Sequence, residues 1–173
     1  MLRIWLLRIA RVNRHYNVLF LCTANSARSI MAEAIMNKKG FPTFTAYSAG
    51  SHPKGTVHPA AIRQITLAKL ETNGLRSKDW SEFVRPGAPK LDFILTVCDN
   101  AAKEVCPVWP GQPITAHWGI PDPAVEGTPE QIQQAFLEAF TILDRRVSLL
   151  LSLPLRSLDL LAIRKEVNRI GQS

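Results

Sequence analysis

The apolar run Val18-Leu19-Phe20-Leu21 stops on Cys22, and a helical pattern opens at Arg28-Ser29. This part of the chain is therefore constrained to a buried strand, a tight loop and a helix. Thr23, Ala24, Asn25, Ser26 and Ala27 are short or polar. Such a loop can curl with its backbone N–H groups inward and make a nest for three oxygens of a tetrahedral anion. Arg28 closes the nest as a bidentate clamp. The N–H dipoles, the helix N-terminus and the guanidinium favour Cys22 as a thiolate, and Ser29 is near enough in sequence to donate to its sulfur. The competing reading is a small buried hydrophobe, the usual fate of a cysteine at a strand end. The strand before, the helix after, and Asn25, Ser26 and Ser29 in and behind the loop make it the weaker one.

The rest of the chain repeats the strand-then-helix rhythm. Residues 17–21 read as a buried parallel strand and 29–39 as a helix, with Ile30, Met31, Ala34, Ile35 and Lys38 at helical spacing before Gly40. Residues 43–47 give a second strand, leading into a Gly/Pro-punctuated loop over 48–55. His58-Pro59 opens a second helix whose Ile62, Ile65, Leu67 and Leu70 face inward until Asn73-Gly74. Residues 92–97 form a third strand ending at Cys98, 99–105 a short helical segment, and 106–111 an irregular stretch broken by prolines. A fourth strand over 114–118 precedes the capping box Thr128-Pro129-Glu130-Gln131. The long helix that follows buries Ile132, Phe136, Phe140, Leu143, Val147 and Leu150 and stops at Pro154. Residues 155–170 then form an amphipathic helix through Leu158, Leu161 and Val167. The alternation implies a three-layer α/β fold: a four-stranded parallel sheet with helices on both faces, ligands binding past the strands' carboxyl ends. Cys22, Cys98 and Asp122 all lie just past strand ends.

At 173 residues and 46% apolar, the chain can build one core without staples. No apolar stretch reaches the roughly 18 residues of a membrane span, because Arg8 cuts Ile4-Trp5-Leu6-Leu7. Three cysteines, an odd count, argue against a secreted disulfide framework and for a reducing compartment, the cytoplasm. The net charge of +7 is concentrated at the start: Arg3, Arg8, Arg11 and Arg14 stand there without an acid, while residues 16–173 hold 17 basic and 14 acidic side chains. A mildly basic body suits small anions, and no basic stripe interleaved with aromatics points to nucleic acid. The Arg-rich start lacks the cleavage pattern of a signal peptide. The expected organisation is an N-terminal extension over 1–16, a catalytic domain over 17–153 and a helical extension over 154–173, as a monomer or weak dimer.

Two further features carry chemistry. In Trp118-Gly119-Ile120-Pro121-Asp122-Pro123 an acid is held between two prolines, a set position of the kind a general acid needs. The same pattern also fits a turn aspartate. Cys98 and Cys106 read alone as buried apolar residues, and a zinc site with His117 lacks a close C-x2-C pair. If 98–106 were wholly helical, the two cysteines would stand roughly 12 Å apart along the axis, beyond the roughly 7 Å Cα limit of a disulfide. Any bond between them requires the segment to unwind. His52 and Lys54 read as a solvated loop near the anion, Trp109 and Trp118 as packing residues.

The run Cys-Thr-x-Asn-Ser-x-Arg-Ser over 22–29, followed by Met31-Ala32-Glu33-Ala34, resembles the phosphate-binding loop of the low-molecular-weight protein tyrosine phosphatase superfamily. Within it, with His117-Trp118-Gly119 before Asp122-Pro123, it resembles the arsenate reductases built on that fold. The resemblance covers about residues 17–153. It implies that Cys22 attacks arsenate, Arg28 and the loop N–H groups of residues 23–28 hold the oxyanion, and Asp122 protonates the leaving hydroxyl. By the same resemblance Cys98 resolves the adduct and Cys106 draws the disulfide outward. The implied reductant is an external thiol, thioredoxin or glutathione with glutaredoxin, and no tightly bound cofactor is expected. Asn25, Glu33 and Ser48 match positions of a potassium site in relatives, although 78–82 does not clearly supply the remaining ligands. The Cys98–Cys106 spacing is one residue longer than the thioredoxin-linked type leads one to expect, so glutathione could take the part of Cys106. A phosphoester phosphatase is the enzymatic rival, which would leave Cys98 and Cys106 without a role. However, Ala124-Val125-Glu126 follow Asp122-Pro123 where tyrosine-specific relatives carry aromatic residues. A regulatory oxyanion-binding protein without turnover is the third reading.

Overall fold

The computed structural model describes residues 14–173; most of the extension expected over 1–16 lies outside the described residues. Strands β1 (Tyr16–Cys22), β2 (Phe44–Gly50), β3 (Phe93–Thr96) and β4 (Ile114–His117) form one sheet in the order β2-β1-β3-β4. Every pairing is parallel. The register sets Cys22 beside Gly50 and aligns Leu21, Thr96 and His117 across the sheet. The carboxyl ends of β1, β3 and β4 therefore share one rim.

Strand alternation divides the core. Val18, Phe20 and Cys22 face a large cluster contributed by helices α1 (Arg28–Lys39), α2 (Pro59–Leu67), α4 (Pro129–Ser152) and α5 (Leu160–Ile170). Leu19 and Leu21 face a smaller cluster with Ala49, Phe83, Leu91 and Ile94, against which Trp80 and Trp109 pack. This second face is covered by a 3-10 turn, Trp80–Phe83, and its neighbouring loops. The fold is three-layer α/β as expected, and among the described residues no helix is long and apolar enough to cross a membrane.

Most element boundaries follow local chemistry. The capping box of α4 is complete: Gln131 N–H donates to the Thr128 hydroxyl, and the Gln131 side chain accepts from the Thr128 N–H. Phe136, Leu143, Val147 and Leu150 are buried as expected, but Ile132 and Phe140 are only partly so. Helix α2 ends early, at Leu67, with Lys69 in the left-handed region at φ 57°. Its buried face runs through Ala61, Gln64 and Ile65, which leaves Leu67 exposed, against expectation. The last helix starts at Leu160, because the Asp159 carboxylate caps it by accepting from Ala162 N–H at 2.8 Å. Its phase therefore buries Ile163, Val167 and Ile170 and exposes Leu161.

Buried Arg146 of α4 ties the end of the chain to the rim. Its guanidinium donates to the carbonyls of Trp118 (2.9 Å), Gly119 (3.1 Å) and Ser173 (3.1 Å), and the Trp118 indole donates to Val167 O at 2.9 Å. Arg146→Met should orphan these acceptors, and each buried acceptor left unpaired costs about 1–3 kcal/mol. The expected result is a loss of about 1–3 kcal/mol in urea unfolding, with wild-type stability contradicting it.

Candidate active site

Cys22 closes β1, and the loop 23–27 turns directly into α1. The outer surface of this loop is braced by its neighbours' backbone: His52, Lys54 and His58 N–H donate to the carbonyls of Thr23, Ala24 and Ser26 at 2.9, 3.0 and 2.8 Å. With those carbonyls drawn outward, the amides point the other way. Among the described residues, no backbone carbonyl receives the N–H of Asn25, Ser26 or Ala27, and the first amides of α1 are free as at any helix start. Such a backbone is the one that the nest expected from the sequence requires. Asn25 makes the turn with φ 43° while wholly buried. Gly50 is required alongside, since a Cβ there would lie 2.4 Å from Thr23 O.

Arg28 stands at the nest with its side chain 13% exposed. It donates to Ile120 O at 2.8 Å and pairs with the Asp122 carboxylate at 3.5 Å. Its Nε is buried and has no partner among the described residues, which leaves a donor for an anion. The Asp122 carboxylate also accepts from Ala124 N–H at 3.1 Å. The turn-aspartate reading is thus correct locally, and the same turn delivers the carboxylate to Arg28.

The structure sets Cys98 beside Cys22, close enough for each thiol to shift the other's ionisation, and leaves Cys106 exposed. Cys98 caps the short helix α3 (Asp99–Lys103), accepting from Ala101 N–H at 3.4 Å, with the Thr23 hydroxyl 3.7 Å away. Cys22 does not titrate alone, because Cys98 stands beside it. Its hydrogen bond to Cys98 and its burial push the Cys22 thiol up, against the opposing pull of Arg28 and Ala24 N–H. Accepting that bond, with amide donors added, draws Cys98 down to about 5. The two sulfurs titrate as one unit, in which a single proton serves both. Cys106 is pushed up by partial desolvation and by the Glu104 carboxylate. The segment 99–105 is helical only to Lys103, and Glu104 is extended.

Several participants were not read from the sequence. Glu104 accepts from the Thr23 hydroxyl at 3.1 Å, and its other oxygen is buried without a partner among the described residues. No local pattern marks it. Lys78 corrects the potassium reading. Asn25, Glu33 and Ser48 do converge, but around an ammonium: Lys78 Nζ lies 3.4 Å from Ser48 Oγ and 3.6 Å from Glu33 Oε2. With its carboxylate already paired, the cluster does not fit a potassium ion. His117 is no metal ligand either, since its ring bonds Thr96 Oγ1 (2.8 Å) and Asp99 Oδ1 (3.0 Å). Trp118 is fully buried and Trp109 packs edge-on against Trp80, both as packing residues.

Comparison with known proteins agrees with this geometry. The sequence profile described as low molecular weight phosphotyrosine protein phosphatase matches residues 17–168. An arsenate reductase of Bacillus licheniformis is 35% identical over 116 residues, covering 66% of this chain and 79% of the relative. One from Halalkalibacterium halodurans is 33% identical over 131 residues, covering 75% and 91%. A solved arsenate reductase in the phosphate binding state superposes with a TM-score of 0.63 at 26% identity, covering 79% of this chain and 97% of that one. With a loop of inward amides behind a cysteine, an arginine at its mouth and a profile spanning nearly all of the described chain, the protein belongs to the low molecular weight phosphotyrosine protein phosphatase family.

Proposed function

We propose that this protein reduces arsenate to arsenite through a cysteinyl adduct on Cys22 and a disulfide formed with Cys98. The observation that carries the reading is the second thiol at the loop: Cys98 Sγ lies 3.7 Å from the hydroxyl of Thr23, the residue after Cys22, and the two thiols shift each other's ionisation. A phosphatase uses a single sulfur, because water clears its intermediate. A second sulfur beside the first, already drawn toward the thiolate, is what removal of an adduct by a thiol needs. The relatives named arsenate reductase support the same reading.

In the proposed cycle the nest amides and Arg28 hold three oxygens of arsenate. The pair's single proton stays on Cys98 while the Cys22 sulfur attacks arsenic as the thiolate. A S–As bond forms, and the departing hydroxyl leaves as water with the proton of Asp122. Cys98 then releases that proton to solvent, and its thiolate attacks the Cys22 sulfur. The S–As bond breaks, its electron pair goes to arsenic, and arsenite leaves behind a Cys22–Cys98 disulfide. Cys106, as a thiolate, attacks Cys98, forming Cys98–Cys106 and freeing Cys22; an external dithiol of the thioredoxin type, or glutathione with glutaredoxin, takes up the disulfide. One helical turn, α3, has to open for the last exchange.

The family supports a phosphoester phosphatase as the second reading. Against it, the residues after Asp122-Pro123 offer no aromatic wall, and Val125 is 53% exposed. The test is arsenite production with thioredoxin and thioredoxin reductase, and separately with glutathione and glutaredoxin, beside hydrolysis of p-nitrophenyl phosphate. Arsenite in at least one arm is expected. Phosphate release with no arsenite in either arm would replace the proposal with the phosphatase.

A further inference from the structure

Behind the anion loop lies a buried polar cluster that the proposed chemistry does not use. Asn25, Ser29, Glu33, Ser48 and Lys78 are each less than one-tenth exposed. Their bonds form a closed network. The backbone N–H of Lys78 donates to Asn25 Oδ1 at 2.7 Å, and Asn25 Nδ2 donates to Ser29 Oγ and Ser48 Oγ, each at 2.9 Å. The Ser48 hydroxyl in turn donates to Glu33 Oε2. The Lys78 ammonium completes the set, donating to Arg76 O at 3.0 Å and facing Ser48 and Glu33. Arg76 is engaged with Glu82 at 2.9 Å, so Lys78 is the cation seated against Glu33.

We propose that Lys78 is a positioning residue whose ammonium acts as a tethered cation, holding Asn25 through Ser48 and Glu33 so that the anion loop keeps its shape without a dissociable metal ion. A buried carboxylate and serine need a positive partner to stay aligned, and a buried charge left alone is not tolerated. Asn25 is the residue through which the effect passes. It occupies a left-handed conformation, which a non-glycine residue keeps only when its surroundings hold it there. Each polar atom of its side chain is bonded within this network. If the asparagine loosens, the amides of Ser26 and Ala27 lose their common direction and the oxyanion loses its donors. The position at which relatives were expected to hold potassium is, in this chain, covalently supplied.

The inference rests on the oxyanion-binding part of the proposed function and is independent of the reduction chemistry. Phosphate binding by calorimetry is therefore the readout, on the full chain, at constant ionic strength in the chlorides of K+, Na+, Li+ and tetramethylammonium. Wild type should bind phosphate equally in all four. Lys78→Ala keeps the backbone N–H and removes the ammonium. Its affinity should fall on the order of tenfold in tetramethylammonium chloride, the scale of a weakened network bond, and recover in KCl more than in LiCl. Lys78→Met, which fills the space without charge, should lose the same affinity and gain nothing from K+. The double variant Glu33→Gln/Lys78→Met removes both charges at similar volume and keeps the test open if the single variants unfold: it should fold and still bind phosphate about tenfold more weakly. Potassium dependence of the wild type, a Lys78→Ala chain indifferent to cation, or wild-type affinity in the double variant would each overturn the proposal. A wild type that binds phosphate yet forms no arsenite removes the reductase reading alone.

Discussion

A Cys22→Ser chain is expected to form no measurable arsenite and to hydrolyse no p-nitrophenyl phosphate, a loss on the order of 10⁴-fold or more in kcat, the scale seen when a nucleophile is removed. A serine hydroxyl at this buried strand end has no base to deprotonate it comparable to the Cys98 thiolate acting on a thiol, and its oxygen is a far weaker nucleophile when protonated. The nest is built from amides and Arg28 and does not use the sulfur. Phosphate should therefore still bind, within a few-fold of wild type, and the melting temperature should be retained. Calorimetric titration with phosphate beside the two activity assays checks this. Residual turnover near the wild-type rate would place the nucleophile elsewhere and remove the basis of the proposed chemistry.

Cys98→Ser should separate the two activities. Multiple-turnover arsenite production falls to background because the S–As adduct has no second sulfur to take it, while phosphoester hydrolysis continues, its intermediate being cleared by water. The pH profile carries a second, independent sign. The hydrogen bond to Cys98 is the largest cause raising the Cys22 thiol. Without it Cys22 ionises at lower pH, and the acidic limb of kcat/KM for p-nitrophenyl phosphate should move downward. An upward shift, or arsenite turnover that survives the substitution, would mean that Cys98 does not serve as the resolving thiol and that the two sulfurs are adjacent for packing reasons only.

The parts of this architecture set by neighbouring residues were legible in the sequence. β1 and the loop behind it rest on an apolar run followed by small and polar residues, and both ends of α4 are marked by local chemistry, the Thr128–Gln131 box and Pro154. The shared rim for Cys22, Cys98 and Asp122 follows from alternating strands and helices, since parallel strands all end on the same side. Where a boundary depended on a single competing cap, the periodicity misled. Asp159 starts α5 five residues later than the apolar pattern implied; Val167 is buried as expected, but Ile163 and Ile170 join it in place of Leu161.

What the sequence determined by itself is the makeup of the anion cup: Cys22, the five residues behind it and Arg28 are contiguous, so one turn of the chain brings them together, while residues far along the chain brace it. Only the tertiary structure decided that Cys22 and Cys98 titrate together, what fills the space beside Glu33 and which carbonyl braces Arg28. Residues 22 and 98, 33 and 78, and 28 and 120 are far apart along the chain. The energy of a thiolate or a buried ammonium depends on distances of a few ångströms in a medium of low polarizability. Such distances exist only once the sheet has closed, and no spacing along the chain encodes them.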